Sequence, residues 1–130
     1  MIKSGQIIKT EAYTFVGIPF IYHYGLIIIE NNKVFIIHND RKKGTIKQTF
    51  DRFIYNEGDI RKVSNISSSK LENLSNIELN LRLNNCNGSF NWLNYNCEHF
   101  IDCVSQKKKI SEQVLFCGLI TTALILIIKK

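Results

Sequence analysis

A mixed α+β fold is predicted by three observations: β-rich runs flank Asn31-Asn32, a helix-spaced apolar series follows at 71–83, and a second begins at Cys97. The chain has 130 residues, 45% of them hydrophobic and 22% charged, which suits a single core. We read 1–113 as the folded domain and 114–130 as a hydrophobic C-terminal tail.

Residues 6–8 read as a short strand. The runs 22–30 and 33–39 are dominated by Ile, Val, Phe and Tyr. Asn tolerates the positive φ of a two-residue type I′ turn, so Asn31-Asn32 makes these runs the arms of a hairpin. That turn sets His38 opposite Gly25. His23 and His38 then project from one face of the sheet as diagonal neighbours. The continuous apolar stretch Leu26-Ile27-Ile28-Ile29 implies burial on both faces.

Residues 41–45 are polar, include Gly44 and read as a loop leading to a short helix over 49–54. A further strand is expected at 59–63. Leu71, Leu74, Ile77 and Leu81 fall near helical spacing, and 84–88 supplies a stop. Cys97, Phe100, Ile101 and Val104 mark the apolar face of a helix beginning near Asn96. Residues 114–128 contain no charge and predict an apolar C-terminal helix.

The formal charge is +6, concentrated at 41–43, 107–109 and 129–130. No zinc-finger spacing, RNP-like aromatic motif or basic helical stripe accompanies these clusters, so no nucleic-acid partner is expected. Two of them flank the apolar tail, and an anionic membrane surface fits that pattern better. The four cysteines form no C-x-x-C pair, and residues 1–6 lack the apolar region of a signal peptide. A reducing, cytoplasmic-side setting with free thiols is therefore expected, with association to a membrane through the tail.

By itself Cys97 suits a core position on the apolar stripe. With Asn94 or Asn96 as cap, however, it falls in the first helical turn, where unpaired N–H groups and the helix dipole favour a thiolate. A nucleophilic thiol needs a base to take its proton and return it to a leaving group. His99 lies roughly 200° around the same helix and is better read as a packing or capping residue. His23 and His38, sharing one face, are the better candidates. No ligand pair has finger or zincin spacing, so neither a metal nor a cofactor is assigned.

The segments Tyr22-His23-Tyr24-Gly25-Leu26-Ile27-Ile28, Val34-Phe35-Ile36-Ile37-His38 and Asn96-Cys97-Glu98-His99-Phe100 resemble the histidine box and Asn-Cys block of the lecithin:retinol acyltransferase-like family, which includes the H-Ras-suppressor-like phospholipase/acyltransferases. Agreement extends to Gly5-Gln6-Ile7-Ile8, Phe90-Asn91-Trp92-Leu93 and Ser111-Glu112-Gln113-Val114, and so covers most of the chain. The resemblance implies a circularly permuted papain-like fold, with a histidine-bearing antiparallel sheet packed on a helix that carries the cysteine at its N-terminus. It further implies Cys97 as nucleophile, His23 as base and His38 as the residue orienting it. Two features depart from the family pattern: a longer connection between the histidines, and Gly25 where a bulkier residue is common.

The expected activity is that of a thiol acyltransferase or phospholipase-type hydrolase acting on lipid ester or amide bonds through a cysteinyl acyl-enzyme. Its substrate would be a lipid or acylated small molecule; the sequence sets no oligomeric state. A cysteine amidase or peptidase of the same superfamily and a non-catalytic membrane adaptor are the alternatives.

Overall fold

The computed structural model describes residues 1–11, 22–56, 59–89, 91, 96–106 and 112–128. Asn94, Trp92, Ser111 and the lysines at 107–109 and 129–130 lie outside the described residues. The architecture is α+β. A five-stranded antiparallel sheet has the order β4-β3-β2-β1-β7, with β1 at Ile7–Glu11, β2 at Tyr22–Glu30, β3 at Lys33–Asp40, β4 at Gly44–Thr49 and β7 at Lys62–Ser67. A small ribbon pairs β5 (Tyr55–Asn56) with β6 (Asp59–Ile60). The helices are α1 (Phe50–Ile54), α2 (Asn76–Asn85), α3 (Cys97–Val104) and α4 (Glu112–Ile128).

The hairpin of β2 and β3 forms in the expected register. Asn31 and Asn32 adopt φ of 50° and 59°, and Glu30 pairs with Lys33 and Leu26 with Ile37. The segment read as a loop extends instead into β4. Asp40 Oδ1 accepts from the backbone N–H of Lys42 and of Lys43, and Gly44 closes the turn at φ 74°. β4 holds a single large apolar residue, Ile46, because it is an edge strand and tolerates polar side chains.

The helix expected across 71–83 is broken in two. Ser69 caps a 3-10 turn at Lys70–Asn73, and Ser75 then caps α2 by accepting from the Glu78 N–H. The second cap resets the helical phase. Leu71 and Leu79 are buried, whereas Ile77 is 76% exposed and Leu81 58%. The strand expected at 59–63 is likewise divided between β6 and β7, and β7 becomes the edge partner of β1.

Two cores lie on opposite sides of the sheet. On one face Ile8, Ile27 and Ile36 pack with Phe53 of α1. On the other, Leu26 and Ile28 meet Phe100, Ile101 and Val104 of α3 together with Leu79 of α2. Full burial of a side chain such as Phe53 or Phe100 contributes about 1.5–3 kcal/mol. The second core also holds a disulfide: Cys86, at the C-cap of α2, is joined to Cys103 near the end of α3, with Cα atoms 5.8 Å apart. This corrects the expectation of free thiols at those two positions. Spacing along the chain conceals the pair because it forms only when α2 docks on α3.

No helix among the described residues is long and apolar enough to cross a membrane. Helix α4 has seventeen residues, and each of its side chains from Gly118 to Ile128 is exposed.

Candidate active site

Antiparallel alternation puts His23, Gly25 and Ile27 of β2 on the same face as Ile36 and His38 of β3 and Gln48 of β4. That is the face covered by α1. His23 Nε2 lies 2.8 Å from His38 Nδ1, and His38 Nε2 lies 2.8 Å from Gln48 Oε1. The diagonal relation expected of the two histidines is therefore realised as a direct hydrogen bond. Phe53 supports both rings, stacking on His23 at 5.7 Å and meeting His38 edge-on at 5.0 Å.

The space beneath the rings depends on Gly25. A Cβ there would come within 2.4 Å of Ile36 Cγ2 and 3.3 Å of Ile8 Cγ2. Glycine at this position thus has a steric cause: two buried isoleucines already fill the volume.

Cys97 is the first residue of α3. Asn96 caps the helix, its Oδ1 accepting from the N–H of Glu98 at 2.9 Å and of His99 at 3.1 Å. His99 Nδ1 accepts in turn from the Asn96 N–H at 3.2 Å, which completes a reciprocal cap. His99 is therefore the capping residue its helical position suggested. Cys97, Phe100, Ile101 and Val104 are all buried, as the apolar stripe requires.

Because α3 packs on the face opposite the histidines, the thiol lies at the edge of β2, where it meets the backbone that flanks His23. Ile27 exchanges backbone bonds with Gly5 and Gln6 on the β1 side, so the backbone groups of Tyr22 and Tyr24 point to the other edge. The ladder to β3 ends at Leu26 and Ile37. Beyond that point, Cys97 Sγ donates to the Tyr22 carbonyl at 3.7 Å, and the Tyr24 N–H faces the sulfur. The nucleophile candidate thus lies against the backbone on both sides of His23.

Electrostatics keep all three groups neutral at rest. Burial lowers His23 well below the usual imidazole value, and the neighbouring His38 and Arg61 lower it further. Burial also brings His38 down to about 4; its bond to Gln48 and the Asp40 carboxylate oppose the shift, while Arg61 adds to it. Arg61 is held beside the rings by donating to the Phe53 carbonyl at 3.1 Å and stacking over the Phe53 ring.

The sequence favours a depressed thiol pKa at the helix start, but burial reverses that expectation and pushes Cys97 up to about 12. The N–H groups of Tyr24, Glu98 and Cys97 act in the expected direction, and Glu98 acts against them. Desolvation of a thiol 6% exposed outweighs the helix terminus.

Gln48, Phe53 and Arg61 were not among the residues the sequence singled out. The alternation of β4, once recognised, would have placed Gln48 on the histidine face, but Arg61 carries no local signal. Among the described residues, no group of three or more His, Cys, Asp and Glu side chains is arranged to hold a metal ion. Comparison with family models, curated proteins and solved structures gives no match for this chain.

Proposed function

We propose that this chain is a thiol acyltransferase or hydrolase of the lecithin:retinol acyltransferase-like, circularly permuted papain type, acting on lipid ester or amide bonds at a membrane surface. The reading rests chiefly on the placement of Cys97 at the start of α3, with its sulfur on the Tyr22 carbonyl beside a His23 already bonded to His38. A core cysteine would have no need of a linked histidine pair at its edge.

The resting thiol and imidazole are both neutral, so attack is coupled to proton transfer. With Nε2 of His23 engaged by His38, its Nδ1 is the atom left to take the proton. As Sγ bonds to the substrate carbonyl carbon, the thiol proton passes to Nδ1. The Cys97 N–H, at the helix start, stabilises the developing oxyanion. The C–O or C–N bond then breaks, and His23 returns the proton to the leaving alcohol or amine. Water or an acceptor lipid, deprotonated by His23, discharges the thioester and restores the thiol.

The tail supplies the membrane contact. Apart from Thr121 and Thr122, its exposed side chains between 118 and 128 are apolar and carry no charge, and an amphipathic surface helix would show a charged or broadly polar face. The cytoplasmic side remains our placement. Cys86 is buried and Cys103 half-buried, so their disulfide is partly covered by the packing of α2 on α3.

The test is intact-protein mass spectrometry after incubation with mixed phospholipids. An acyl adduct on Cys97, absent from Cys97→Ser and His23→Ala, is the expected result. No adduct from lipids but turnover of peptide amides would favour the amidase reading, and no reaction with either would favour the adaptor.

A further inference from the structure

We infer that Gln48 is a positioning residue that sets the direction of the whole hydrogen-bond chain from β4 to the base; the inference rests on the assignment of His23 as base. The chain runs Gln48, His38, His23 across three adjacent strands, with both links 2.8 Å long. Each neutral imidazole carries one N–H and one bare nitrogen, so the first proton placed fixes the rest. Gln48 presents its Oε1 to His38, and an amide oxygen can only accept. His38 must therefore hold its proton on Nε2, which leaves Nδ1 bare. His23 then holds its proton on Nε2 and donates to His38, and its own Nδ1 is left as the base.

The reversed chain would place the His38 proton on Nδ1 and that of His23 on Nδ1 as well. Its two faults are physical. The bare His38 Nε2 would confront the Gln48 oxygen, two acceptors in contact, inside a site where His38 is fully buried. His23 would have no lone pair on the ring nitrogen its role requires. The same alignment supports the charged state: when His23 Nδ1 takes a proton, Nε2–H continues to donate to His38, and His38 to Gln48. Gln48 touches no reacting atom and acts through His38 alone.

The position suits a test by substitution. Gln48 is half-buried on an edge strand and pairs with Ile36. Leucine removes the acceptor with little change in volume, and Gln48→Glu keeps an acceptor that cannot turn a donor toward the ring.

Nitrogen-15 NMR of the imidazoles of the full chain reads the tautomers directly. In the wild type both rings are expected to carry the proton on Nε2; a wild-type His38 protonated on Nδ1 overturns the inference without any variant. In Gln48→Leu, a share of His38 is expected to move to the Nδ1–H form. Turnover of a short-chain phospholipid ester should fall roughly ten- to a hundredfold in kcat with KM little changed. Gln48→Glu should restore the wild-type tautomers and most of kcat, with the acid limb of the pH profile moved upward because a carboxylate favours charged His38. Wild-type tautomers and full kcat in Gln48→Leu would overturn the proposal, as would loss of kcat in Gln48→Leu that Gln48→Glu fails to rescue. If the wild type turns over no acyl substrate while the tautomers still respond to Gln48, the function assigned above fails and the positioning role of Gln48 stands.

Discussion

His38 is fully buried and meets His23 edge-to-face, their ring centroids 4.9 Å apart and their planes at 86°. Two imidazoles in that relation, with Arg61 beside them, cannot both carry charge cheaply, and the folded protein holds His38 neutral down to about pH 4. In the unfolded chain each histidine takes a proton near pH 6.5. Between these values the unfolded state binds a proton that the folded state refuses. Stability is therefore fully present above pH 6.5 and falls as pH is lowered toward 4, by about 1.4 kcal/mol per pH unit for each histidine so held. Urea unfolding at pH 7, 6 and 5 should show a falling midpoint, and His38→Gln should flatten the trend. A midpoint unchanged across that range in the wild type would contradict the neutral pair.

A thiol held near a pKa of 12 rests as the neutral group at neutral pH. In a Cys117→Ser background, iodoacetamide labelling of folded Cys97 should be slow at pH 7 and climb through pH 9 without a plateau. Only the thiolate attacks, so the rate follows its fraction. A plateau at or below pH 7 would mean a resting thiolate–imidazolium pair and would reverse the order of proton transfer given above.

The local signals in the sequence carried the hairpin, the α3 stripe and the His99 cap, because each depends on residues within a few positions of one another. Asn31-Asn32 sets the register, and from the register comes the shared face of His23 and His38. What could not be read depends on tertiary docking. Cys86 and Cys103 meet only across two packed helices, and Arg61 reaches the histidines only by folding over Phe53. The Cys97 pKa failed for the same reason: the helix terminus is visible in sequence, whereas the depth of burial that outweighs it is not. β4 was hidden by its polarity, and Gln48 with it.

Removal of the disulfide should destabilise without destroying the site. The bridge closes a loop with a sequence separation of 17, for which unfolded-chain entropy gives a contribution of about 3 kcal/mol. Cys86→Ala/Cys103→Ala, or reduction of the wild type, should lower the unfolding free energy by roughly 2–4 kcal/mol at unchanged far-ultraviolet circular dichroism. An unfolding midpoint insensitive to both would show that docking of α2 on α3 does not need the bond.

Gly25 offers a sharper structural test. An added methyl there meets Ile36 and Ile8, both fully buried, and neither can move without disturbing the Phe53 cluster below the histidines. Gly25→Ala should therefore cost about 1–3 kcal/mol by overpacking. Gly25→Ala/Ile36→Leu removes the β-branch, and with it the Cγ2 that the new methyl would meet, and should recover part of that loss. Equal stabilities of wild type and Gly25→Ala would show that the sheet relaxes more readily than its packing suggests.

The tail separates membrane association from chemistry. Leu119, Ile120, Leu124, Ile125, Leu126, Ile127 and Ile128 are exposed and spread around α4, so between 118 and 128 no single apolar face marks a packing surface toward the domain. At 1.5 Å per residue its seventeen residues extend about 26 Å, less than the ~30 Å hydrocarbon core, which favours shallow or tilted insertion in locally thinned lipid over a simple span. Burial of these side chains in lipid removes apolar surface from water at roughly 25 cal/mol per Å², whereas exposure in solution would invite aggregation. The full chain should sediment with vesicles containing anionic lipid. A chain ending at Gln113 should stay in the supernatant, unfold cooperatively and still take an acyl adduct from a short-chain soluble substrate at Cys97. Among the described residues both cores lie within 7–104, so the truncation removes no described side chain of either. A truncated chain that fails to fold, or a full chain that ignores vesicles and remains monomeric, would make the segment a structural helix of the domain.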